Sequence, residues 1–144
     1  MIIPDLNLLV YAHNDGAPYH DSARRWWEGL VNGVERVGIP WVVATGFIRL
    51  MTHPRVLVHP TTPAEAVDHV HQWFRFPHIA PINPSPDHLE HLRRNLSDAG
   101  VGANLVGDSH IAALAMEYQA EVHSNDGDFG RFTGLRWRNP LSET

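Results

Sequence analysis

The chain has no cysteine and no lysine. Without cysteine there can be no disulfide framework, thiolate zinc site or thiol nucleophile, a composition that fits a reducing compartment. Without lysine, all eleven fixed cations are arginine, which suits planar bidentate phosphate contacts but also follows from codon bias alone. Positive charge is in short supply against sixteen acids, and the net charge of −5 excludes a general attraction for nucleic acid. Any nucleic-acid contact must be local. Also missing are a basic leader ahead of an apolar stretch at Met1-Ile2-Ile3-Pro4-Asp5 and any apolar run of membrane-spanning length. The expectation is a cytoplasmic protein with no membrane contact. No linker, internal repeat or low-complexity tract divides the 144 residues, so a single domain over 1–144 is expected.

What is present centres on the stretch from Asn104 to Ala115, which reads as an Asn-capped helix with an acid where the pattern asks for a hydrophobe. Asp108 shares a helix face with Ile111, Ala112 and Ala115, three, four and seven residues on. Burying an unpaired carboxylate costs several kcal/mol, roughly, so such a group is protonated, paired or bound to a cation.

The rest of the chain alternates strands and helices. Residues 1–4 form a buried first strand that delivers Asp5, and a helix follows from Leu6 to His13. Pro18 opens a helix from about Tyr19 to Val34, with Asn32-Gly33 supporting its end. Val37 to Pro40 is a strand and Trp41 to Thr52 a helix that stops before His53-Pro54. Thr61-Thr62-Pro63-Ala64-Glu65 has the cap, early proline and early acid of a helix start, with Ala66, Val67, Val70, Trp73 and Phe74 as its buried face. A strand at 78–82 precedes a helix opened by Ser85-Pro86-Asp87 and stopped at Ala99-Gly100. The central helix hands over to a strand at 120–124, then Asn125-Asp126-Gly127-Asp128, a short turn, and an edge strand at 135–138. This alternation predicts an α/β fold, a three-layer α/β/α sandwich with a central, mainly parallel sheet. In that architecture sites gather outside the carboxyl ends of the strands, where Asp5 and Asp126 fall.

Asp5, Asp108, Asp126 and Asp128 thus converge on one sheet edge. Crowded carboxylates repel one another unless a hard divalent cation balances them, and oxygen-only ligands point to Mg²⁺, with Mn²⁺ able to substitute. Such an ion would activate water for phosphodiester hydrolysis with no covalent residue. Asn7 and Ser124 are placed to orient the carboxylates. Each acid also has a plainer reading: Asp5 as the cap of the helix at Leu6, Asp108 as a partner of the helix dipole, Asp126 and Asp128 as turn residues beside Gly127. One mechanism covers all four placements.

With these pieces in order, the chain resembles the PIN-domain ribonucleases, specifically the VapC toxins of bacterial toxin–antitoxin modules. The resemblance runs through Pro4-Asp5-Leu6-Asn7, the stretch from Gly46 to Val56, Gly107-Asp108-Ser109-His110 with the alanine-rich run behind it, Ser124 to Phe132, and Gly134 to Pro140. It covers nearly the whole chain. It implies that Asp5, Asp108 and Asp126 are metal-site carboxylates with Asp128 a neighbouring catalytic acid. Asn7, Ser124 and Arg49 would support them. It further implies Mg²⁺-dependent cleavage of RNA, inhibition by a small cognate antitoxin, and a homodimer. One position departs: many PIN nucleases carry a glutamate where this chain has Gly46, at a cost of ~1 kcal/mol in helix propensity relative to alanine. A non-toxin RNA-processing nuclease and a weakly catalytic module that binds RNA or protein are the alternatives.

Other signals carry less. The pairs His69/His71 and His88/His91 match no zinc motif and read as solvated helix-face residues. Asp126-Gly127-Asp128 lacks the remaining ligands of a calcium loop. Trp26, Trp27, Trp41 and Trp73 read as core or interface residues, Arg93-Arg94 as a solvated face, and Arg49, Arg131, Arg136 and Arg138 as candidates for phosphate contacts near the acids.

Overall fold

The computed structural model describes residues 1–142. Five strands, β1 (Ile2–Pro4), β2 (Val37–Pro40), β3 (Ile79–Ile82), β4 (Glu121–His123) and β5 (Trp137–Arg138), form one sheet in the order β3-β2-β1-β4-β5. Every pairing is parallel, including that of the last edge strand, so the sheet is parallel throughout. The chain builds outward from β1 to β3, then crosses back to β4 on the other side of β1. Strand order reverses between β1 and β4, and the crevice beyond their carboxyl ends is where such sheets place ligands.

Six helices cover the sheet: α1 (Leu6–His13), α2 (His20–Val31), α3 (Trp41–Met51), α4 (Pro63–Phe74), α5 (His88–Ala99) and α6 (Leu105–Tyr118). The first four pack among themselves, and α5 packs on α6. Their punctuation is chemical. Pro4 ends β1, and Asp5 turns the chain into α1. Thr62 Oγ1 accepts the Glu65 N–H at the start of α4, and Gly100, at φ +73°, closes α5 in the left-handed region that glycine favours. The core runs from Ile3, Val37, Ile39 and Val122 of the sheet to an aromatic block in which Phe47 and Trp73 meet edge to face, ring centres 4.6 Å apart. His13 lies edge-on to Phe47 at 5.0 Å, and burial drives its pKa down to about 4, so it is neutral there.

Several expectations change. Asn104 sits at the start of α6 but makes no capping bond with its side chain; backbone bonds from Leu105 and Val106 to Gly102 and Ala103 turn the chain instead. Helix α6 is not striped: Ser109 and the run from Ile111 to Ala115 are buried on all sides, because the helix is enclosed by β4 and α5. Val67 is exposed while Ala66, Val70 and Trp73 are buried. Trp41 is half exposed, one face against Phe74. His88 is not solvated; it is 12% exposed and bonded between Glu117 and His110.

Candidate metal and catalytic site

Asp5 leaves β1 with its N–H on the carbonyl of His123, at the end of β4. Its Oδ1 accepts the Leu6 N–H at 2.8 Å and its Oδ2 accepts the Ser124 hydroxyl at 2.6 Å. The helix-cap reading and the site reading therefore hold together: one oxygen starts α1 while the other reaches the neighbouring strand. Burial is the main reason the carboxyl is held above its ordinary pKa, partly offset by these two bonds, with the charge of Asp126 raising it further.

Ser124 links the acids. It donates to Asp5, and its Oγ accepts the Asp126 N–H at 3.0 Å. Asp126 Oδ1 in turn accepts the Asp128 N–H at 2.9 Å, an Asx turn that starts the 3-10 turn Gly127–Arg131. Asp108 arrives from the first turn of α6. One carboxylate oxygen from each of Asp108, Asp126 and Asp128 lies within 4.8 Å of the others. Asp5 does not join that group at this separation, although its charge is felt by Asp108. The pKa of Asp108 is pushed up to about 7 by burial first, then by the charges of Asp126 and Asp5, by contact with the Asp126 carboxyl, and by Asp128. Among the described residues no arginine or histidine forms an ion pair with Asp108.

This donor set fits a hard cation. Oxygen ligands of an octahedral Mg²⁺ stand about 2.9 Å apart when adjacent and about 4.1 Å when opposite, given metal–oxygen distances of about 2.0–2.1 Å. Three oxygens within 4.8 Å approach that spacing, and their mutual repulsion is what a divalent charge relieves. Asn7, in the first turn of α1, has a buried Oδ1 that accepts no hydrogen bond among the described residues. Behind the site, the Trp26 indole N–H donates to His123 Nδ1 at 2.9 Å and His123 Nε2 lies 2.8 Å from Glu121 Oε1. Indole only donates, so the His123 proton sits on Nε2 and faces Glu121. That chain, which fixes the residue before Ser124, carried no local signal in the sequence.

The surrounding arginines separate. Arg131 Nε lies 3.4 Å from Asp128 Oδ1. Arg138 ends β5 beside Ser124, whose N–H bonds its carbonyl. Arg136 is not a neighbour of the acids: its guanidinium bonds the carbonyl of Gln119, at the far end of α6. Arg49 is exposed in the last turn of α3 and among the described residues forms no ion pair. Gly46 is buried on α3, and a Cβ there would stand 2.8 Å from Leu6 Cδ2. The space a side chain would take is already filled by the residue next to Asp5.

Residues 2–135 match the PIN domain family. The chain is 41% identical over 143 residues to ribonuclease VapC33 of Mycobacterium tuberculosis, covering 99% of this chain and 100% of that protein. It is 41% identical over 140 residues to ribonuclease VapC37 of the same organism, covering 97% of each. Its fold is shared with VapBC2 from Rickettsia felis, solved bound to a fragment of promoter DNA, at TM-score 0.67 and 20% identity over 96% of this chain and 98% of that one. It is shared too with VapC20 of M. tuberculosis, described as a toxin cleaving the sarcin–ricin loop, at TM-score 0.66 and 18% identity over 94% and 99%. A parallel sheet with its acids at the β1/β4 crevice and a match along nearly its whole length make this chain a member of the PIN-domain family.

Proposed function

We propose that the chain is the toxin of a type II toxin–antitoxin pair: a cytoplasmic, single-domain endoribonuclease over 1–144 that hydrolyses RNA phosphodiester bonds with Mg²⁺. The observation that carries this reading is the gathering of Asp108, Asp126 and Asp128 oxygens within 4.8 Å, in a chain so close to proteins named ribonucleases. Asp5, Asp108 and Asp126 would hold the ion, with Asp128 alongside; Mn²⁺ could replace Mg²⁺. When bound, the ion supplies Lewis acidity toward the phosphoryl oxygen and lowers the pKa of water, so no covalent protein intermediate is needed. Ser124 sets the spacing of the site, because one hydroxyl fixes both the Asp5 carboxylate and the Asp126 backbone. Asp108 exchanges a proton for the cation near neutral pH, which makes cation affinity rise with pH. The VapBC likeness supports a small antitoxin partner, and a homodimer is the expected assembly.

A second reading has its own observation. At Gly46 the family's common glutamate is absent and Leu6 occupies the space, which favours a PIN module of weak catalysis that binds RNA or a protein. A non-toxin RNA-processing nuclease shares the same site. The experiment is cleavage of a structured RNA panel with and without Mg²⁺ or Mn²⁺, by the wild type and an Asp5→Asn/Asp108→Asn protein. Metal-dependent cutting that the double substitution abolishes supports the nuclease; no cutting by folded wild type, with calorimetry showing no Mg²⁺ binding, sinks it.

A further inference from the structure

Arg131 closes the 3-10 turn that presents Asp128, and the two side chains, 52% and 44% exposed, form an ion pair. An exposed pair of this kind is worth at most ~1 kcal/mol. The turn does not depend on it, since Asp126 already holds the Asp128 N–H and Phe129 and Phe132 anchor the segment in the core. Arg131 therefore stands at the rim of four carboxylates with Nε committed to Asp128. Its two terminal nitrogens make no hydrogen bond among the described residues.

A phosphate approaching this edge meets Asp5, Asp108, Asp126 and Asp128, on a chain whose net charge is already −5. A bound Mg²⁺ would balance two of those four charges, and within a screening length of about 8 Å at physiological salt a cationic side chain at the rim offsets the remainder. Three other arginines are engaged away from the acids: Arg24 with Glu28, Arg93 with Glu90, Arg136 with the Gln119 carbonyl. Arg131 is tied to a member of the cluster itself. We infer that Arg131 is an RNA-backbone contact that exchanges Asp128 for a phosphate of the substrate, gripping its two free oxygens with paired N–H donors. Asp128 already stands in the oxygen cluster, and releasing it removes the arginine's counter-charge from that carboxylate, so substrate and acid cluster are coupled through one side chain. This inference rests on RNA being the substrate.

The test uses the full chain and a fluorescein-labelled pool of single-stranded RNA, with anisotropy read in EDTA to suppress cleavage, over a range of KCl. Arg131→Gln should weaken binding about threefold to tenfold and lower the slope of log affinity against log salt by about 0.7, one phosphate on a single strand. Arg131→Lys should keep the slope and lose part of the affinity, because a point charge replaces a planar fork. Arg93→Gln, the same charge removed from the exposed face of α5, should change neither. In Mg²⁺, Arg131→Gln should raise KM more than it lowers kcat. Wild-type binding whose slope Arg131→Gln leaves unchanged overturns the contact, and wild type that neither binds the RNA pool nor cuts it when Mg²⁺ is supplied overturns the RNA reading beneath it.

Discussion

The two ends of α6 hold carboxylates that have left bulk water under opposite conditions. Glu117, in the last turn, has a side chain 4% exposed and is surrounded by donors. Burial pushes its pKa up, but the Ser85 hydroxyl, the His88 imidazole and the Ser85 N–H outweigh it and hold it below the ordinary glutamate range. His88 then passes the network on, its Nε2 lying 2.8 Å from His110 Nδ1. Asp108, in the first turn, is half buried among three other acids and is pushed up to about 7. One end of the helix is compensated from within the protein and tethers the loop after β3. The other is left with a charge problem that the protein does not solve, and an external cation can.

If that contrast is right, substitutions at the two ends must fail in different ways. The largest effect is expected at the uncompensated end: Asp108→Asn or Asp126→Asn should lower Mg²⁺-dependent RNA cleavage on the order of 10³-fold, the several kcal/mol a positioned metal supplies. The same substitutions should raise the melting temperature in EDTA, because like-charge repulsion is removed. At the compensated end, Glu117→Ala should cost about 2–3 kcal/mol in urea unfolding, since Ser85 and His88 lose a charged acceptor. The kcat of the protein that remains folded should stay near wild type. A Glu117→Ala protein that is stable but inactive would break the comparison.

A smaller effect sharpens it from the side of α3. Gly46→Ala sets the gain of ~1 kcal/mol in helix propensity against a Cβ 2.8 Å from Leu6 Cδ2, an overpacking worth about 1–3 kcal/mol. A net loss of about 1 kcal/mol is expected by thermal unfolding, and Leu6→Ala in the same chain should reverse it.

The sequence carried the skeleton of this contrast unevenly. Strong local punctuation was readable: Pro4-Asp5 marks the start of α1, Thr62-Pro63 that of α4, and Ala99-Gly100 the end of α5, because each acts within a few residues. The convergence of Asp5, Asp108, Asp126 and Asp128 on one edge followed from strand ends and one misplaced acid. What local pattern could not carry was contact across the fold. The Glu117–His88 bond spans 29 residues, and the His88/His91 spacing gave no hint of it. His110 and Glu117, seven apart on an alanine-rich helix, were the available signal, two polar residues on one face two turns apart. The selection of Asp128 rather than Asp5 for the tightest oxygen group depends on how the Asx turn at Asp126 folds back. So too with Leu6 and Gly46: their contact depends on how α1 crosses α3, which neither helix's own pattern encodes.

A last test separates the two ends by the sign of their pH dependence. An aspartate with a native pKa of about 7 and an unfolded value of about 3.9 binds more protons folded than unfolded between those limits. Stability then falls as pH rises through that window, so without metal Asp108 makes the protein less stable at pH 7.5 than at pH 5, and Asp5, also raised, acts in the same sense. His13 opposes both: its native pKa near 4 lies below the unfolded 6.5, so its contribution is present above 6.5 and lost as pH falls toward 4. Subtracting the melting curve of Asp108→Asn from that of wild type removes the His13 background. In EDTA the difference, wild type minus variant, should become more favourable on going from pH 7.5 to pH 5. Saturating Mg²⁺ should reverse it, because the ion binds the ionised form. Glu117→Gln must show the other sign, its contribution fully present above the ordinary glutamate range and lost only as pH falls through its lowered native value. Parallel curves for the two variants would mean that the acids at both ends of α6 are held by the same forces, and the distinction between a tether and a binding site would go.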